Sequence, residues 1–319
     1  MFQIDCNVEN KDNYLVQKES DQFKVNTMKE SLALGLPNVI VAGAQKGGTT
    51  SISALLSSLT DVCNPQRFDD EPHWFNKEVH FFDEQDRYDY GVKFYFTRFL
   101  HCVNETLRFD ATPDYIKHPE RIASFYNNFG NISNVKILFS LREPVDREKS
   151  LLSMLKLKAK LNQELPTYFS LSMANATLEE YHKQQLTLQN LENPNRAAMS
   201  DSSYSLGMYG PLIHRWFKNF PRENILILSF DELRHDKSRF VERISSFLGV
   251  PMKFDKLPHA NSGHQEPKSN LTKDSCIFEK KLANAFEKYS NQELYMLLNE
   301  YPGPPQEQSP FPHFLFECK

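Results

Sequence analysis

The stretch VIVAGAQKGGTTS, Val39 to Ser51, runs from apolar residues into glycines and then into three hydroxyl side chains. That order places backbone N–H groups at the start of a helix, where unsatisfied donors and aligned peptide dipoles favour an anion. The amides of Gly47 to Ser51 would cradle a phosphate, with Thr49, Thr50 and Ser51 adding hydroxyl donors. Gly43 and Gly48 have the spacing of GxxxxGK[ST], but Thr49 holds the place of its lysine and Lys46 lies inside the loop. The ligand implied is anionic without having to be a triphosphate. Taken alone, the glycines need only make a tight turn.

A second segment asks for the same kind of ligand. LFSLREPVDREKS, Leu138 to Ser150, leaves an apolar run with Arg142 at its end, turns at Pro144 and carries Ser150 in the next helix. A guanidinium at a strand's carboxyl end and a hydroxyl on the adjoining helix can converge on a second phosphate through charge-assisted bonds. Arg147 reads as a supporting partner or as ordinary surface charge.

Both segments require strand, loop and helix units to hold them. NVIVAG followed by TTSISALLSSL is the first unit, and NVKILFSLREP (Asn134 to Pro144) followed by VDREKSLLSMLKLKAKL is the second. The third is ENILILSFDEL (Glu223 to Leu233) with DKSRFVERISSFLGV, whose Phe240, Ile244, Phe247 and Leu248 share one helical face. Strands alternating with helices predict an α/β fold with a P-loop-like central parallel sheet flanked by helices. Residues 1–36 read as an N-terminal arm and 37–319 as a single domain. The polar stretch 161–203 reads as an insertion on the acceptor side, and the tail from Pro302 to Pro312 as extended surface packing. Tyr209 and Trp216 have helical spacing and are expected in the core.

With 319 residues and 40% hydrophobic content, the chain can bury a substantial core. A formal charge of -4 lacks the basic excess of many nucleic-acid binders, so no nucleic-acid partner is expected. No apolar stretch has the length of a membrane span and the N-terminus has no signal-peptide core, which predicts a soluble, cytoplasmic chain. The five cysteines have no CxxC spacing, which argues against a zinc site and a dense disulfide framework and leaves room for one bridge. Sequons begin at Asn104, Asn131, Asn175 and Asn270, but such triplets arise by chance in a chain this rich in Asn, Ser and Thr. The sequence is silent on oligomeric state.

QKGGTTS, followed further along by LREPVDREKS, resembles the sulfotransferases that use 3′-phosphoadenosine 5′-phosphosulfate (PAPS). The resemblance extends through NKEVHFFDEQDRYDYGVKFYFTRF, FDATPDYIKHPERIASFYN, GMYGPLIHRWFKNFPRENILILSFDEL and FLGV, and is nearest to the heparan sulfate and related carbohydrate enzymes. It implies PAPS as donor and adenosine 3′,5′-bisphosphate (PAP) as product, with no metal. Lys46 would neutralise charge on the departing phosphate. Gly47, Gly48, Thr49, Thr50 and Ser51 would hold the 5′-phosphate, and Arg142 with Ser150 the 3′-phosphate. Glu78 in KEVHFF would be the general base for a hydroxyl or amine acceptor, with His80 and Asp83 lining the acceptor site. Read without the motif, Glu78 is an exposed carboxylate, His80 a structural histidine, and Lys77 and Arg87 either acceptor contacts or solvated charge.

The acceptor implied is a carbohydrate, with a small-molecule alcohol or other natural product as the alternative. A further alternative is an inactive nucleotide- or glycan-binding protein of the same fold, which rests on Ala111. Several glycosaminoglycan members carry a lysine in an EKTPxY pattern that contacts the transferred group, whereas DATPDY puts alanine there. The Gly- and Lys-rich loop that closes over the donor in the heparan enzymes is also missing, with Lys268 and Lys273 as candidate substitutes. A P-loop kinase or nucleotidase is disfavoured by the displaced lysine. Most relatives of this type stand in the Golgi behind a membrane anchor, so the Golgi lumen is the alternative to the cytoplasm if an anchor precedes this chain.

Overall fold

The computed structural model describes residues 35–68, 76–103, 105–253, 273–308 and 310–318. Among these residues five strands form one sheet: β1 (Val39–Gly43), β2 (Val62–Cys63), β3 (Leu107–Asp110), β4 (Lys136–Leu141) and β5 (Ile225–Ser229). Their order is β2-β3-β1-β4-β5 and every pairing is parallel. The helices α1 (Thr49–Ser57), α2 (Pro119–Phe129), α3 (Pro144–Lys160), α4 (Tyr209–Asn219) and α5 (Lys237–Leu248) flank it, followed by α6 (Lys273–Phe286) and α7 (Gln292–Glu300). This is the expected α/β architecture. Two differences are local: the strand expected over Glu223–Leu233 stops at Ser229, whose side chain caps a short helix over Phe230–His235. β2 and β3 are too short to show a periodic pattern.

Side chains alternate across the strands and divide the core in two. Val39, Val41, Leu138, Leu226 and Leu228 pack against α1 and α5 through Ile52, Leu55, Leu56, Phe240, Ile244 and Phe247. Ile40, Ala42, Ile137, Phe139 and Ile227 face the other side, where α2 and α4 cover them. Tyr209 and Trp216 are fully buried there, and the Trp216 indole donates to the Ile116 carbonyl at 2.9 Å. The segment GVKFYFTRFL also serves the core, through Phe94, Tyr95 and Phe99.

The stretch 161–203 folds partly into short helices over Leu178–Gln184, Thr187–Leu191 and Pro194–Met199, which pack on α3, α4 and α6. Arg147 is not a surface charge: it is fully buried, ion-paired with the equally buried Glu148, and donates to the Ser203 carbonyl at 2.6 Å. Glu148 also accepts from Ser203 Oγ at 2.7 Å, so the end of the insertion is clamped to α3. The Pro-rich tail turns beside β5, where Glu307 accepts from the Ile227 amide at 2.9 Å and pairs with Arg222, and its Phe311 is buried in the core rather than lying on the surface.

Two disulfides, Cys63–Cys102 and Cys276–Cys318, go beyond the one bridge for which the sequence left room. Their partners are 39 and 42 residues apart, so only the fold could pair them. Among the described residues no helix is long and apolar enough to cross a membrane. Most of the N-terminal arm, Cys6, Asn104, Lys268, Asn270 and the side chain of Lys273 fall outside the described residues.

Candidate active site

In an open parallel sheet, ligands gather at the carboxyl ends of the strands where connections leave in opposite directions. Here β1 is that strand, with β3 on one side and β4 on the other. The three ends deliver three segments to one rim: DATPDY from β3, the glycine loop from β1, and LREP from β4.

The loop is built for close approach. Lys46 takes a left-handed conformation at φ 67° and Gly48 another at φ 95°. Gly47 passes so near β4 that a Cβ there would stand 2.2 Å from the Ser140 carbonyl oxygen. A left-handed non-glycine residue is disfavoured by sterics, and such strain gathers at functional sites. α1 then begins with no side-chain cap; the Gly47 and Ser51 amides donate to the Ala44 and Gly48 carbonyls at 2.8 and 2.9 Å, and Thr50 and Ser51 are half-buried.

An anion fits this rim. Among the described residues Lys46 has no carboxylate partner and donates to Met154 Sδ at 3.7 Å, a weak acceptor. Burial and then the nearby charges of Arg142 and Arg147 lower its pKa to about 8. Arg142 lies over the Phe230 ring at 5.0 Å, and its Nε is buried without a partner among the described residues. Burial also lowers the Arg142 pKa from its ordinary value. Tyr209 steadies the turn by donating to the Arg142 carbonyl at 2.9 Å. Ser150 sits half-buried in the second turn of α3. Among the described residues, a lysine with no carboxylate partner, an orphaned buried guanidinium donor and an uncapped helix start together suit an anion.

On the other flank, Lys77 to Phe81 are stitched to DATPDY. The Ala111 amide donates to the Lys77 carbonyl at 2.8 Å, and the Val79 amide to Asp110 Oδ1 at 3.3 Å. The His80 amide donates to Thr112 Oγ1 at 3.3 Å and the Phe81 amide to the Tyr115 hydroxyl at 2.9 Å. Asp110 is the hub: fully buried, it also accepts from Thr112 at 2.6 Å, Tyr115 at 2.8 Å and Tyr95 at 3.0 Å. Burial raises its pKa to about 6 against the pull of those donors. Asp110→Ala leaves several buried donors unpaired and is expected to cost about 3–5 kcal/mol of stability. Denaturant unfolding checks this, and a loss below about 1 kcal/mol would refute the hub role.

These bonds hold His80 at φ 54° and turn three acidic or imidazole groups together. His80 Nε2 lies 3.3 Å from Glu78 Oε2, and His80 Nδ1 lies 2.7 Å from Asp83 Oδ2. Burial disfavours a charged imidazole, but the Asp83 charge and the bonds to both carboxylates raise its pKa well above 6.5. Glu78 is not exposed at a strand end: its side chain is 16% accessible, bonded to His80 and ion-paired with Lys77. Burial opposes its charge, yet the His80 bond and the Lys77 charge lower its pKa from the usual value. Lys77 Nζ in turn donates to Thr50 Oγ1 at 3.2 Å, linking this cluster to the phosphate loop.

The structure thus gathers Glu78, His80 and Asp83 on one flank and Lys46, Gly47 to Ser51 and Arg142 on the other. Arg87 turns out to buttress the segment, donating to the Val79 carbonyl at 2.7 Å and pairing with Glu84. Asp114 is a member the sequence analysis missed. Burial and the Asp83 charge raise its pKa to about 6, and its carboxylate lies within 4.8 Å of ligand atoms of His80 and Asp83.

A parallel sheet with a glycine loop at the end of β1 and an arginine-bearing turn after β4 has a P-loop-like α/β architecture. The chain belongs to the sulfotransferase family: the family's description, "Sulfotransferase domain", matches residues 36–303. Among curated proteins it is 25% identical over 221 residues to the human heparan sulfate glucosamine 3-O-sulfotransferase 3B1, covering 67% of this chain and 46% of that protein. It is 24% identical over 266 residues to mouse heparan sulfate glucosamine 3-O-sulfotransferase 5, covering 80% of this chain and 67% of that one. The membrane-associated sulfotransferase kil1 of Dictyostelium discoideum is 22% identical, with 89% and 69% covered. The chain spans about half the length of the first of these relatives. A solved sulfotransferase from Alicyclobacillus acidocaldarius shares the fold at 24% identity and a TM-score of 0.50, covering 79% of this chain and 94% of that one.

Proposed function

We propose that the protein transfers a sulfuryl group from PAPS to a hydroxyl of a carbohydrate acceptor, releasing PAP. The observation that carries this is the rim itself: β3, β1 and β4 end side by side, so a candidate base and two anion grips share one edge. When bound, PAPS supplies a sulfur whose bond to the phosphate oxygen breaks as the acceptor oxygen bonds to it, the electron pair leaving with the phosphate. Such a transfer needs positioning and electrostatic stabilisation rather than covalent help from the protein. Gly47 to Ser51 hold the 5′-phosphate, Lys46 neutralises the charge that grows on it, and Arg142 with Ser150 hold the 3′-phosphate. Glu78 takes the acceptor proton, and His80, fixed by Asp83, orients it. No step is assigned to a metal.

The carbohydrate acceptor is supported by the heparan sulfate enzymes among the relatives and by a flank rich in hydrogen-bonding groups, Glu78, His80, Asp83 and Asp114. Radiolabel transfer from PAPS to desulfated heparan sulfate, to simple oligosaccharides and to small alcohols tests it. Incorporation into a saccharide is expected. Labelling of small alcohols alone would replace the carbohydrate acceptor with the small-molecule one.

The two disulfides support an oxidising lumen, with the Golgi among the settings that fit, rather than the cytoplasm as the working compartment. Protein purified from its native source and alkylated without reduction should keep Cys63, Cys102, Cys276 and Cys318 unmodified by mass spectrometry. Full alkylation of all four would return the chain to a reducing compartment.

A further inference from the structure

Lys77 stands between the two halves of the site. Its ammonium donates to Thr50 Oγ1 at 3.2 Å, in the first turn of α1, and is ion-paired with Glu78 on the flank that carries the candidate base. Its side chain is 18% accessible, so the amine looks into the rim rather than into bulk water. Its backbone is tied to β3's exit, the carbonyl accepting from the Ala111 amide at 2.8 Å, which aims the stem. The amine is also close enough to Lys46 to help lower that residue's pKa. The group in flight has to pass from the phosphate beside Thr50 to an acceptor oxygen beside Glu78. Lys77 bridges those two points.

We infer that Lys77 is a catalytic residue that grips the sulfuryl oxygens during transfer, an inference that rests on the donor assignment above. In the free protein its ammonium is parked on Glu78. With PAPS in place it turns to the sulfuryl oxygens, and Glu78 loses the cation that suppresses its basicity. The S–O bond to the phosphate then breaks, the new S–O bond to the acceptor forms, and the acceptor proton goes to Glu78. Lys46 balances charge on the leaving side and Lys77 on the group transferred, so neither amine duplicates the other. Ala111, where the resemblance anticipates a lysine, leaves that charge to be supplied from the neighbouring segment.

PAP lacks the sulfuryl group, which makes binding a readout independent of turnover. Calorimetric titration without acceptor would compare PAP and PAPS on the wild type, Lys77→Met and Lys77→Arg. The expected result for Lys77→Met is a PAP affinity within about threefold of wild type and a PAPS affinity weakened about tenfold or more, with single-turnover transfer reduced ~10²–10³-fold. Lys77→Arg keeps the charge and should recover most of the PAPS affinity. If PAP and PAPS affinities fall in parallel, or neither changes in Lys77→Met, Lys77 only supports the segment and the inference is overturned. A wild type that binds neither ligand would instead sink the donor assignment itself.

Discussion

Glu78→Gln is expected to lower transfer by ~10²–10⁴-fold while leaving PAP affinity within about threefold of wild type. Glutamine keeps the size of the side chain and its one carbonyl oxygen can still accept from Lys77 or His80, but it cannot take a proton. The Val79, His80 and Phe81 amides remain bonded to Asp110, Thr112 and Tyr115, so the segment should keep its place. The pH profile adds a second check. Because His80 and Lys77 lower the Glu78 pKa in the free protein, the acid limb of the wild-type kcat/KM profile for the donor should fall below the ordinary carboxylate range. A Glu78→Gln protein with more than a third of wild-type turnover would remove this residue from the chemistry.

Arg142→Ala should weaken PAP by about 10–100-fold, the scale of about 1.5–3 kcal/mol for a charge-assisted contact in a partly buried site. The Arg142 Nε is buried and unpartnered among the described residues, so a bound phosphate would supply what the protein does not. Lys46→Ala should weaken PAP on the same order, and Lys46 brings a pH signature. With a pKa of about 8 in the free protein, it carries its charge below that pH and loses it above. kcat/KM for the donor is therefore expected to fall as pH rises through about 8, and to lose that limb in Lys46→Ala. Unchanged PAP affinity in Arg142→Ala would detach β4 from the donor site.

The parts of the site that were legible in the sequence are those where local chain order makes the geometry. Strand, glycine loop and helix start are contiguous, so the turn at Val39 to Ser51 can be read without help from the rest of the fold. Arg142 is legible for the same reason, since a strand's end and the next helix are covalently joined. What could not be read depends on the register between distant strands. β3 has four residues, two of them charged, so nothing in LRFD signals a strand beside β1. Without β3 the role of Asp110 as the hub for Val79, Thr112, Tyr115 and Tyr95 is invisible. Lys77 likewise gains meaning only when its amine is seen to reach Thr50, 27 residues earlier in the chain. The sequence leaves Arg147 open between a supporting partner and a surface charge because its partners, Glu148 and the Ser203 carbonyl, come together only when the insertion folds back on α3.

The donor assignment is tested most directly by calorimetric titration of the protein with PAP, with and without magnesium, beside ATP under the same conditions. Saturable PAP binding that does not depend on magnesium is predicted. No heat with PAP together with magnesium-dependent binding of ATP would contradict it, and would make Val39 to Ser51 a triphosphate loop with a displaced lysine.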